Sequence, residues 1–142
     1  MTVPATATLQ ALKTHLATIT TANGYRTTVG AVYTGRAALA LGTQMTAPVI
    51  TLTSLRDDPE APAASWFQTW KRTVELEAIL PESTDWDANL DDVFDDIRKA
   101  LVRFPIPLEF GSVVFFPPEN GGDHAVLLLP ITYSYVTNYA DS

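Results

Sequence analysis

Cysteine is absent from this 142-residue sequence. Disulfides, thiolate catalysis and zinc–thiolate or iron–sulfur sites are thereby excluded, and the absence is compatible with assembly in a reducing cytoplasm. Basic charge is scarce too: nine Lys and Arg stand against sixteen Asp and Glu, a net charge of −7. A protein that grips nucleic acid neutralises phosphates with clustered Lys and Arg. Here the basic residues are scattered, in runs no longer than Lys71-Arg72 and Arg98-Lys99. The same repulsion leaves one DNA-related role open, a conduit through which DNA slides without sticking. Long apolar runs are missing as well. The stretch Val126 to Ile131 is far too short for a bilayer, which takes roughly twenty residues, so no membrane association is expected. Met1 to Thr8 lacks the basic region and apolar run of a signal peptide. Glycine-rich phosphate loops, a nucleophile elbow and an HExxH pattern are all lacking. The two histidines, His15 and His124, have no partners in sequence that would orient a metal site or a general base. No enzymatic activity, cofactor or metal is therefore expected.

What is present is a core. At 15.5 kDa the chain fits a single domain over 1–142. A chain of this size buries roughly two thirds of its unfolded surface and needs neither metal nor disulfide to fold. A mean hydropathy of +0.08 is high beside 18% charged residues, which points to apolar surface covered by a partner.

Leu9, Leu12, Leu16 and Ile19 recur at helical spacing, and Asn23-Gly24 supplies a left-handed stop after that helix. Val29 to Tyr33 and Val49 to Leu55 read as strands, separated by a weakly patterned loop over Thr34 to Ala47. Asp57 to Ser65, rich in Pro, Ala and acid, reads as a loop. Trp70 to Leu80 alternates, with Val74, Leu76, Ala78 and Leu80 on one face and Glu75 and Glu77 on the other. A second helix follows, with Ser83, Thr84 or Asp85 as its cap. Trp86, Leu90, Val93 or Phe94, Ile97 and Leu101 form its stripe, and Phe104-Pro105-Ile106-Pro107 its stop. Ser112 to Phe116 and Ala125 to Thr137 read as strands joined by Pro117 to Asp123, where Asn120-Gly121-Gly122 supplies the turn. Pro130 removes a ladder donor, which predicts that the last strand lies at an edge or carries a bulge. The order α-β-β-β-α-β-β predicts an α+β domain, a mixed and mainly antiparallel sheet with two helices packed on it. An edge able to pair outward is a natural place for another chain.

Two clusters invite a chemical reading. Asp85, Asp87, Asn89, Asp91 and Asp96 match the liganding spacing of a calcium loop, but Leu90 stands where such a loop needs glycine. The same residues carry the helical stripe, which a calcium loop would destroy. The seven acids from Glu82 to Asp96 are read instead as a solvated helix face, or as one turned toward passing DNA or a basic partner. Trp66, Phe67 and Trp70 crowd the third strand, as core or as interface anchors.

The segment Leu16 to Tyr25, followed by Val29-Gly30-Ala31-Val32-Tyr33-Thr34-Gly35-Arg36, resembles the opening of tail terminator and tail completion proteins of tailed bacteriophages. There a first helix ends in an Asn-Gly turn and a short strand leads to a Gly-Arg loop. A later strand with a Pro-x-Ile start matches Pro48-Val49-Ile50. The likeness covers the first third by motif and the rest by element order. It implies a homohexameric ring at the head-proximal end of the tail, assembled in the host cytoplasm. Such a ring caps the tail tube protein, docks the head connector or a neck protein, and passes DNA through its lumen without specific binding. Alternatives are a neck or head-completion protein, an adaptor of a tail-related secretion device, and, from another class, a small acidic metal-binding module or enzyme. Candidate interface residues are Tyr33, Arg36, Arg56, Trp66, Trp70 and Asn120, with Arg36 and Arg56 positioned to meet acids of the next subunit.

Overall fold

The computed structural model describes residues 3–35, 45–60, 67–118 and 124–138. Helix α1 (Pro4–Leu16) is followed by a 3₁₀ turn (Thr21–Asn23), strands β1 (Ala31–Thr34), β2 (Val49–Pro59) and β3 (Phe67–Ile79), and helix α2 (Trp86–Arg103). Strands β4 (Glu109–Phe110), β5 (Val114–Phe116) and β6 (Val126–Asn138) complete the order. The strands form one sheet in the order β1-β2-β3-β6-β4, with β5 also on β6. Only β1–β2 is parallel; the other pairs are antiparallel. The α+β fold expected from the element order is the fold observed.

Both helices lie on one face of the sheet. The stripe Leu12, Leu16 and Ile19 meets Leu90, Val93, Ile97 and Leu101 from α2 over a sheet floor that includes Ile50, Leu52, Val74, Leu76, Leu129 and Ile131. Alternation of the strand sequences puts these residues on a single side, because successive side chains point to opposite faces. The Tyr133 hydroxyl donates to the Ala5 carbonyl at 2.8 Å and ties β6 to the first turn of α1.

Several boundaries differ from the sequence reading. Helix α1 ends at Leu16, and Asn23-Gly24 instead closes the 3₁₀ turn, with Gly24 at φ +88°. Strand β2 runs on to Pro59, so Asp57 to Pro59 are strand rather than loop. Acids and a proline read as a turn in isolation, but an antiparallel partner spanning Phe67–Ile79 holds them extended. Strand β5 is shorter than Ser112 to Phe116, and β4 is an additional strand. Asp85 caps α2 without a side-chain bond; Ser83 Oγ accepts from its amide instead.

The expected edge position of the last strand is overturned at Pro130 and holds only past Thr132, beyond the pairing with β4. Strand β6 pairs with β3 along its whole length and with β4 and β5 on its other side. Pro130 is tolerated because its carbonyl, accepting from the Gly111 amide, faces the β4–β5 side. A residue's N and C=O point to the same side of a strand, so the missing donor falls in the gap between those two short strands.

Candidate interaction surface

Strands β3 and β6 have 13 residues each, about 43 Å of chain, whereas α2, with 18 residues, spans about 27 Å. The helices therefore cannot cover the strands end to end. Beyond Val74 and Tyr133 the sheet continues as a three-stranded arm of 54–59, 67–72 and 134–138, outside the helical layer. A register shift between Ser54 and Arg56 marks where the arm begins and leaves Leu55 exposed. Phe67 and Val136 are each 48% exposed, and Trp70 is half-buried.

The arm holds itself together by polar contacts. Asp57 and Arg72 are register partners and form a bidentate pair with both N···O distances at 2.8 Å. The guanidinium also lies 5.8 Å from the centre of the Tyr135 ring. The hydrogen bond from Arg72 holds the Asp57 carboxyl below the usual carboxylate range, helped by a second from Tyr135 and opposed by partial burial. Burial pushes the Tyr133 and Tyr135 hydroxyls up. On the opposite face Arg56 pairs with Asp58 at 2.9 Å and Lys71 with Glu109 at 3.1 Å. Ser134 Oγ donates to Glu60 at 2.7 Å. These contacts rigidify the arm without using its apolar side chains.

No family model matches the sequence, and no curated protein matches it.

Of the candidate interface residues, Tyr33, Arg56 and Trp70 are described, and Arg36, Trp66 and Asn120 lie outside the described residues. Arg56 and Trp70 both sit on the arm; Tyr33 is exposed on β1, the edge strand paired to β2. Of that aromatic cluster, Phe67 is exposed and Trp70 half-buried, and neither belongs to the buried core. A second apolar surface was not signalled by the sequence. Phe110, Val114, Phe115 and Phe116 are all exposed, forming a lip over β4 and β5. Phe115 meets the Phe94 ring of α2 edge-on at 5.6 Å, yet these short strands stay largely exposed, and no composition cue separates them from core strands.

The acidic helix resolves into two kinds of residue. Asp87 and Asp91 are exposed, and Asp95 pairs with Arg26 at 3.2 Å and Arg98 at 3.5 Å. Asp96, read from sequence as part of the solvated face, is 1% exposed. It accepts hydrogen bonds from the amides of Arg26 and Thr27 and from the Thr27 hydroxyl. It therefore anchors the loop between the 3₁₀ turn and β1. Residues 86–96 are helical, which removes the loop geometry that calcium coordination needs. Among the described residues no group of three or more His, Asp or Glu could hold a metal ion.

Both histidines bond to backbone carbonyls. His15 Nε2 lies 2.7 Å from the Ala100 carbonyl and His124 Nδ1 lies 2.8 Å from that of Leu80. A carbonyl only accepts, so each of these nitrogens carries the proton. Near the end of α2 the Phe104 amide bonds to Leu101 rather than to Ala100, and His15 serves the freed carbonyl.

The Asp57–Arg72 pair gives a test of the arm's integrity. Its depressed native pKa means that Asp57 stabilises the fold at pH above its ordinary 3.8. That contribution is lost as pH falls below 3.8 through the native value. A double-mutant cycle with Asp57→Ala and Arg72→Ala is expected to give about 1 kcal/mol of coupling at pH 7, reduced by partial exposure. In urea titrations the coupling should vanish in acid; coupling that stays constant down to low pH would remove the pair from the account.

Proposed function

We propose that this chain is a structural virion protein, the tail terminator subunit. A ring of copies caps the tail tube, joins it to the head connector and lets DNA pass without holding it. The observation that carries the reading is the arm, three strands that leave the helical layer with Leu55, Phe67 and Val136 exposed. A protein acting by assembly needs apolar surface presented on a rigid support. The arm is such a support, since its polar side chains are satisfied among themselves and its apolar ones are left for a neighbour. The net charge of −7 suits a lumen that repels phosphate. The resemblance of Leu16 to Arg36 to the opening of terminator proteins supplies the particular virion role.

Deleting the gene and imaging the particles tests this. Tails of uncontrolled length, or tails that fail to join filled heads, are expected. Tails of normal length that lack only a neck would reassign the chain to the head-completion proteins.

A further inference from the structure

The two outer edges of the arm are defended differently. Past its pairing with β1, which ends at Leu52, the β2 edge carries a register shift and then Arg56-Asp57-Asp58-Pro59. Bulges, charges and proline are the devices that deter a strand from adding to an edge. The β6 edge past Thr132, where β4 ends its pairing, has none of them. Tyr133 to Thr137 are aromatic, β-branched or hydroxylic, and no charged residue occurs between Ala125 and Asn138. Because the Pro130 carbonyl faces the β4–β5 side, backbone groups two and three pairs along, those of Ser134 and Val136, face the same way. No strand lies beside them among the described residues.

Next to this edge is a cleft of about 210 Å³ lined by Ile106, Pro107, Leu108, Tyr133 and Ser134, with Lys71 at its margin already neutralised by Glu109. An open backbone edge beside an apolar cleft selects an extended, uncharged segment that carries a bulky side chain. This chain displays such a segment itself. Phe110 to Pro118 contains no charge, and within it Val114, Phe115 and Phe116 are extended and exposed. The lip cannot reach the edge of its own molecule. It is paired to Val126–Leu128, and Ser134 is six residues further along the same strand, about 20 Å away. Copies each carrying a charge of −7 repel one another, so contact is cheapest between surfaces that bear no charge.

We propose that the chain self-associates head to tail, the β5 lip of one copy docking on the open β6 edge and cleft of the next. This rests on the ring reading and names the surfaces that would close the ring, since a heterologous contact of one kind generates a ring when its rotation closes. Val136→Pro removes an outward donor at a position equivalent to Pro130, leaving the β3 ladder intact. Phe116→Asp puts a charge in the lip. Light scattering and thermal melts of the full chain should show a multimeric wild type, and two folded variants that are each monomeric. Their equimolar mixture should give a 1:1 heterodimer, because one intact lip and one intact edge remain. Wild-type rings that persist in both variants would overturn this contact and leave the ring reading standing. A mixture that stays monomeric, or a wild type that stops at two chains, would overturn the head-to-tail geometry. A wild type monomeric at all concentrations would overturn both. Should Val136→Pro fail to fold, Val136→Lys serves in its place, with the same outcomes.

Discussion

Replacing Asp96 with alanine is expected to cost about 4 kcal/mol of folding stability, the largest effect of any single polar substitution here. The carboxylate is buried and takes three hydrogen bonds, two from consecutive amides of Arg26 and Thr27. Alanine leaves these donors facing protein interior with no acceptor, and each unmet buried group carries its own desolvation cost. Asparagine fits the space but turns an amide toward at least one donor, and should cost about half as much. Urea denaturation at neutral pH measures both. A loss under about 1 kcal/mol for Asp96→Ala would mean that water replaces the carboxylate and that the anchoring role is wrong. A domain of this kind holds only about 5–15 kcal/mol, so the alanine variant should also melt at a markedly lower temperature.

Leu76→Ala is expected to cost about 3 kcal/mol. Leu76 lies in the packed half of β3, between its register partners Leu52 and Leu129 and beneath the helical layer, with no exposed surface. Truncation removes transfer free energy and leaves a cavity that strands paired on both sides cannot collapse to fill. Leu55→Ala is the internal control. The same chemical change on the exposed arm should alter stability by less than about 0.5 kcal/mol. Equal losses at the two positions would contradict the division of the strands into a packed half and a free arm.

That division was half legible in the sequence. The alternation of Val74, Leu76, Ala78 and Leu80 against Glu75 and Glu77 announces a strand with one buried face, and all four apolar residues are buried. It does not announce where the burial stops. Trp70 and Arg72 continue the same face, and only the finite length of the helices leaves them outside the core. Trp70 is legible as a candidate because aromatics crowd the start of this strand; the Asp57–Arg72 pair, two residues along, is hidden because Asp57-Asp58-Pro59 has the local chemistry of a turn. Asp96 was missed for a related reason. It lies in a run of acids whose other members are solvated, and nothing local reveals that its turn of the helix points at Arg26 and Thr27, about seventy residues away in the chain.

Local interactions settle within a few residues, so the sequence alone determined the helix stripes, the alternating strands, the α+β class and the exclusion of thiol chemistry. Those outcomes depend on side-chain periodicity and composition, which are written in order along the chain. Tertiary structure decided which acid is buried, which strand is interior despite its proline, and which edges are defended. Each of these turns on what lies across the sheet or over the helix, and long-range pairing places β6 beside β3 and both under helices that are far apart in the chain. The same physical rule governs both: backbone and charged groups must find partners, and only the folded chain says where those partners are.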